Sequence, residues 1–421
     1  MASILVYTSP ARGHLYPALG VSLELRQRGH DVHVYTLAGE VEKVRSLGLH
    51  AAPIDPSIEA RELDDWKGGN SMQALKLGMS VFGDRAVFEV DDLRSAIEKT
   101  SADGLLIDTN SWGAQAAAEA SGLPWATFQP YFTPLPAPGV PPFGPGLAPA
   151  SGTFGRLRDK ALGPLVYGKL SSLALPGINA QRVRVGLAPL DSMDDFLTRP
   201  PLVVYFTAAE IDYPRSSWPD NFRLVGPADW GPEAEEPEWL EEVSRPIVLV
   251  TCSTERQEDG AILEASLQGL PRNGYFVVAT SAAIHPDDIA AQPSPNSRIE
   301  RFAPHDAILP RVEAVVCHGG MGITQRALSH GVPVVVVPFG RDQLEVARRV
   351  EHAGVGVRLL PKKLNASNLV AAVQAARGLS EAAHRMAQTF ASAGGSQAAA
   401  DSFQYLLDAE RRGEARAAVD G

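Results

Sequence analysis

The chain has 421 residues, 45% of them hydrophobic and 21% charged, a balance that supports packed cores and excludes a disordered or collagen-like polypeptide. Lys and Arg number 38 against 49 Asp and Glu, giving a net charge of −11. No basic cluster offsets it, so nucleic acid and anionic membrane are poor partners, because both are bound by neutralising phosphate.

At about 100 to 200 residues per domain, the length points to two globular domains or three. Two cysteines, Cys252 and Cys317, exclude a disulfide framework and a Cys-rich metal site and fit a reducing cytoplasm. Residues 1–8 lack the basic segment and apolar length of a secretory leader, and no run reaches the roughly 18 apolar residues that span a bilayer. The expectation is a soluble cytoplasmic protein, monomer or homodimer.

In chain order, apolar β-branched runs at 4–8, 32–36, 105–107, 125–128 and 202–206 alternate with helix-like segments. A second series follows at 247–251, 275–280, 314–317, 334–337 and 355–359. Strands that are apolar throughout and spaced by helices predict parallel sheets covered on both faces, hence an α/β chain of two doubly wound domains. The stretch 213–246 carries Pro214, Pro219, Pro227, Pro232, Pro237 and Pro246 among Glu233, Glu235 and Glu236, and reads as a linker. Domains are therefore expected at 1–212 and 247–395, with a last helix at 396–421. A second Pro/Gly-rich stretch, 130–155, follows the strand at 125–128, at the sheet edge where open α/β folds bind ligands.

The turn after the first strand reads Ser9-Pro10-Ala11-Arg12-Gly13-His14-Leu15-Tyr16-Pro17, with one glycine where a dinucleotide loop needs three. His14 opens the following helix, whose positive end favours neutral imidazole and so suits a general base; packing or capping is the alternative. Asp108 ends another strand at the same edge. It can orient an imidazole, cap the next helix, or both.

In the second domain the strand at 314–317 runs into His318-Gly319-Gly320-Met321-Gly322-Ile323-Thr324 and a helix. Such a turn can present amides to a diphosphate, and equally can pack a helix closely. No Asp-x-Asp pair, the common carboxylate arrangement for a metal-bridged diphosphate, occurs in the chain. Asp342-Gln343 follows the next strand and suits vicinal hydroxyls. Phe302 could stack on a nucleobase or join the core.

Assembled, these residues resemble the inverting nucleotide-sugar glycosyltransferases of family 1, which have the GT-B fold. The resemblance spans essentially the whole chain through Gly13–Pro17, the Leu224-Val225-Gly226-Pro227 motif and the signature from Phe302 to Gln343. It implies His14 as the base that deprotonates an acceptor and Asp108 as its partner. Phe302 would stack on the base, while His318, Gly320, Gly322 and Thr324 would hold the diphosphate. Asp342 and Gln343 would hold the sugar, with Thr254 and Arg326 also at the donor site. The stretch 130–155 would lie over an apolar acceptor, with Tyr16, Phe128, Tyr131, Phe132 and Phe143 near it, and the last helix would cross back to the first domain. The donor would be a UDP- or dTDP-sugar used as co-substrate, without metal or other cofactor.

Four positions depart from the family pattern. Arg326 stands where many UDP-sugar relatives carry a ribose-binding glutamate, which favours a 2′-deoxyribose donor. Ile323 replaces a small hydroxyl residue, Ser253 a glycine and Val346 an asparagine. The rival readings are a sugar-nucleotide epimerase or hydrolase and a non-catalytic sugar-nucleotide-binding helper. Cys252 as nucleophile is a weaker one, since buried cysteines usually act as small hydrophobes.

Overall fold

The computed structural model describes residues 1–412 except 69, 229, 232–234, 255, 256, 258, 285–288 and 290–293. Pro232 and Glu233 of the expected linker, and residues 413–421 of the expected last helix, lie outside the described residues. Strands β1 (Ser3–Tyr7), β2 (Asp31–Thr36), β3 (His50–Pro53), β4 (Gly104–Asp108), β5 (Trp125–Gln129), β6 (Val203–Tyr205) and β7 (Phe222–Leu224) form a seven-stranded sheet in the order β3-β2-β1-β4-β5-β6-β7. Strands β8 (Ile247–Thr251), β9 (Phe276–Thr280), β10 (Ser297–Glu300), β11 (Val312–Cys317), β12 (Val334–Val336) and β13 (Gly356–Arg358) form a six-stranded sheet in the order β10-β9-β8-β11-β12-β13. Every neighbouring pair is parallel.

Alternate residues of each strand feed opposite cores. Ile4 and Val6 of β1 pack with Leu15 and Leu19 of the helix Arg12–Gln27, whereas Leu5 and Tyr7 pack with Val90 and Leu93 of the helix Ser71–Thr100. Burial on both faces is why these strands read as unbroken apolar runs. Strands β3, β7 and β10 fall outside the runs recognised in the sequence. All three are sheet edges, where one side is left unpaired and the apolar signal fades; β3 even ends in Pro53, which an edge tolerates. Strand β7 lies inside 213–246, so the first sheet reaches into the stretch read as linker.

The final helix, Gly395–Arg411, packs on the first domain: Ala399, Ala400, Phe403, Leu406 and Leu407 join the cluster of Ile4 and Leu19. Gly104 admits it, because a Cβ there would collide with the Leu407 side chain. In both sheets the chain winds outward in opposite directions from a central pair, β1 beside β4 and β8 beside β11. The carboxyl ends of such pairs form the crevice where ligands of open α/β sheets bind. Among the described residues no helix is long and apolar enough to cross a membrane.

Candidate active site

Register brings the first pair of residues together. Tyr7 of β1 lies opposite Ile107 of β4, so the turn after β1 meets the end of β4. Nδ1 of His14 lies 2.9 Å from both carboxylate oxygens of Asp108. Asp108 is fully buried and also accepts from the Ser9 amide at 2.9 Å, the Ser9 hydroxyl at 2.6 Å and the Asn110 amide at 2.9 Å. Burial pushes this carboxyl up, but the His14 charge and hydrogen bond, the Ser9 hydroxyl and the Asn110 amide outweigh it and hold it below the ordinary aspartate value. It is ionised at neutral pH, which places the neutral imidazole proton on Nδ1 and leaves Nε2 as the basic nitrogen. Asp108 is not the cap of the next helix; Ser111 occupies that position before Trp112–Ser121. Asn110, unnoticed in the sequence, has its amide nitrogen 3.5 Å from His14 Nε2, and its carbonyl accepts from the Tyr131 hydroxyl at 2.8 Å.

The second domain contributes the turn after β11. Gly319 has φ +99°, a left-handed conformation that glycine adopts without strain, and Gly320 is the N-cap of the helix Met321–Ser329. A Cβ on Gly320 would come within 2.5 Å of His318 Nε2, whereas one on Gly322 would meet nothing within 4 Å. Packing therefore explains glycine at 320 and not at 322. Burial pushes the His318 imidazole down to about 4, and the nearby Arg341 guanidinium adds to it. It stands in the free protein as a neutral hydrogen-bonding group rather than a cation.

Two residues expected at the donor have polar atoms engaged within the protein, Thr324 in this turn and Gln343 in the loop after β12. Thr324 is fully buried and donates its hydroxyl to Gly320 O at 2.9 Å, so it braces the turn instead of facing the cleft. Gln343 accepts from the Phe339 and Gly340 amides at 2.7 and 3.1 Å and donates to Gln257 Oε1 at 2.7 Å, which commits both ends of its amide to the loop. Asp342 remains half-buried at the helix start. Burial pushes its carboxyl up against the pull of Arg341 and His14. Phe302 is 59% exposed, the state expected of a stacking platform and not of a core residue. Thr254 is exposed in the loop after β8. Arg326 is tied to Asp306 and donates to Trp230 O at 2.6 Å, so its guanidinium serves the protein's own acceptors.

The expected aromatic acceptor wall is corrected at Phe128 and Phe132. Phe128 and Phe132 are fully buried, in different cores, and present no surface to a ligand. Phe143 packs against the core that contains Phe132. Tyr16 sits edge-on to Trp230 at 5.5 Å and accepts from Lys43 at 2.9 Å. The Tyr131 ring lies 5.8 Å from the His14 ring. A cavity of about 540 Å³ instead opens between Pro136, Ala137, Val140 and Pro142 of the Pro-rich segment and Arg156, Asp159, Lys160 and Tyr167 of the helix Thr153–Arg184.

Residues of the two domains also meet directly. Arg341 makes a two-pronged contact with Asp65, Nε to Oδ2 at 2.9 Å and Nη2 to Oδ1 at 3.0 Å, and Gln325 donates to Phe206 O at 2.9 Å.

Two doubly wound domains with their crevices on one cleft define the GT-B architecture. Residues 268–403 match the C-terminal domain of erythromycin biosynthesis protein CIII-like proteins. The chain is 32% identical over 393 residues to 4'-demethylrebeccamycin synthase of Lentzea aerocolonigenes, covering 89% of this chain and 91% of that protein. The fold is similar to the glycotransferase of kitacinnamycin, with TM-score 0.77, 21% identity and coverage of 96% and 99% of the two chains. It is also similar to a Streptomyces sp. SF2575 glycosyltransferase complexed with thymidine diphosphate, with TM-score 0.65, 23% identity and coverage of 96% and 100%. The chain belongs to the natural-product glycosyltransferases of the antibiotic type.

Proposed function

We propose that the protein transfers a hexose from a UDP- or dTDP-sugar to a hydroxyl of an apolar polyketide, macrolide or phenolic natural product, with inversion at the anomeric carbon. The carrying observation is the bond between half-buried His14 and the fully buried Asp108 at the crevice of the first sheet. His14 Nε2 takes the acceptor's hydroxyl proton, the oxygen forms its bond to the anomeric carbon, and the carbon–oxygen bond to the diphosphate breaks in line. Asp108 fixes the tautomer and stabilises the imidazolium that forms. The departing negative charge meets the amides of the 320–322 turn and the dipole of the helix Met321–Ser329, with His318 as hydrogen-bond partner. In this reading no divalent ion takes part.

Phe302 stacks on the base, Asp342 holds sugar hydroxyls, and Thr254 lines the donor loop. Gln343 and Thr324 shape that loop and turn without touching the donor. Arg326, bound to Asp306 and Trp230 O, offers no acceptor to a ribose hydroxyl, which supports a dTDP-sugar. The acceptor lies beside Tyr131 and the Pro-rich segment, whose cavity is of a size suited to a small molecule.

Thermal unfolding with UDP, dTDP or NAD, each with chelator, tests the donor. A nucleotide at 100 times its Kd adds about 2.7 kcal/mol. A shift with UDP or dTDP that survives chelator supports the reading, and a shift with NAD alone overturns it. Turnover of donor without any acceptor would favour an epimerase or hydrolase. Proton NMR of the product then reads the anomeric configuration, and retention would remove the single-displacement mechanism.

A further inference from the structure

We propose that Glu345 and Arg349 are positioning residues that lock the Pro-rich segment to the helix carrying Asp342, so that the donor-side domain sets one wall of the acceptor site. The proposal rests on the reading that this segment adjoins the acceptor. Glu345 and Arg349 lie on the helix Gln343–His352, one and two turns past Asp342.

Glu345 is fully buried; its Oε1 accepts from the Gly144 amide at 2.7 Å and the Gly146 amide at 2.8 Å, and its Oε2 accepts from Arg349 Nη1 at 2.6 Å. Arg348 adds a bond from Nε to Gly146 O at 3.0 Å. Gly146 has φ +62°, and a Cβ there would fall 2.6 Å from Leu344 O, so the segment lies directly on the helix backbone. Arg349 also reaches the other end of the segment. Its Nε donates to Asp212 Oδ1 at 2.6 Å; the Tyr205 hydroxyl bonds Asp212 Oδ2 at 3.3 Å and accepts from the Thr133 amide at 2.9 Å. The guanidinium lies 4.5 Å from the centre of the Phe132 ring and 4.1 Å from that of Tyr213.

Both ends of the stretch 133–146 thus hang from one buried cation. A buried ion pair is often no more stabilising than apolar side chains of the same volume. What charge adds is direction: a carboxylate oxygen that receives two glycine amides fixes the segment's height above the helix, which a greasy contact would leave free to slide.

The test uses the full chain and compares wild type with Glu345→Ala and Glu345→Gln by amide hydrogen exchange over 140–148, beside steady-state kinetics. In Glu345→Ala, exchange at 143–147 should rise at least 10-fold and the acceptor KM should rise 5- to 50-fold, while the donor KM and the dTDP-induced thermal shift stay within 2-fold of wild type. Glu345→Gln, which keeps one oxygen for both amides, should restore part of the protection and of the acceptor KM. Unchanged exchange in Glu345→Ala would overturn the proposal. So would equal loss in kcat and both KM values, the mark of a merely structural role. Should Glu345→Ala fail to fold, Arg348→Met removes the bond to Gly146 O together with the pair to Glu351 and should raise exchange at 146–147 by a smaller factor; no change there would overturn it equally. Absence of nucleotide binding and sugar transfer in wild type would sink the functional reading instead, since the exchange comparison does not depend on activity.

Discussion

His14 is useful because its surroundings assign each nitrogen a task. Nδ1 is spent on a fully buried carboxylate, and that carboxylate is itself saturated by Ser9 and Asn110. His14→Ala should lower kcat/KM for hydroxyl acceptors by about 10² to 10⁴-fold, the usual reach of a general base, with the nucleotide-induced thermal shift intact. An initial-rate assay that finds full activity would remove His14 from the chemistry. His318 makes a different prediction. Its imidazole is held down to about 4 against an ordinary value of 6.5, so between those values the unfolded chain binds a proton that the folded one refuses. Stability is complete above pH 6.5 and falls as pH drops toward 4, by at most about 3 kcal/mol from this group. His305, also held down to about 4 by burial, adds a slope of the same sign. Chemical denaturation across this range should show a shallower decline in His318→Gln; an identical slope would mean that His318 titrates normally.

At the scale of elements, the turn after β11 separates what packing requires from what a ligand requires. Gly322→Ala should leave the fold intact or slightly firmer, since a Cβ there meets nothing and alanine favours helix by up to about 1 kcal/mol. It should nevertheless weaken UDP or dTDP binding at least 10-fold by filling the space beside the amides, and calorimetry showing unchanged affinity would place the diphosphate elsewhere. The last helix belongs energetically to the first domain. Phe403 and Leu407 are each buried to 2% exposure or less, and a side chain of either type contributes about 1.5 to 3 kcal/mol on burial. Ending the chain at Gly394 should therefore leave the first domain unfolded or aggregated at 37 °C, read by near-ultraviolet circular dichroism. A native spectrum would show that the helix is dispensable.

At the scale of the whole molecule, the Arg341–Asp65 contact spans the cleft beside Asp342. Arg341 holds φ +54°, costly for a residue with a Cβ, and that strain at a candidate ligand site marks a conformation kept by its contacts. A double-mutant cycle with Asp65→Ala and Arg341→Ala, read as donor KM and stability, should give a coupling of about 1 to 3 kcal/mol. Effects that simply add would show that the pair does not join the domains.

The sequence by itself determined the central strands of both sheets and offered His14 and Asp108 as candidates at one sheet edge. Strands buried on both faces must be apolar throughout, so local spacing carries those facts, whereas the pairing of His14 with Asp108, 94 residues away, follows from the strand register. Tertiary structure decided which groups remain available to a ligand. Phe128 and Phe132 look like acceptor contacts until the strands around them bury their rings, and Gln343 and Thr324 look like ligand donors until the loop beside each consumes its polar atoms. Glu345, Arg349 and Arg341 gave no local signal because their partners Gly144, Asp212 and Asp65 lie 201, 137 and 276 residues away along the chain. Residue type and spacing announce backbone geometry, whereas a side chain's partner is chosen only when distant segments pack and leave a buried polar atom no alternative.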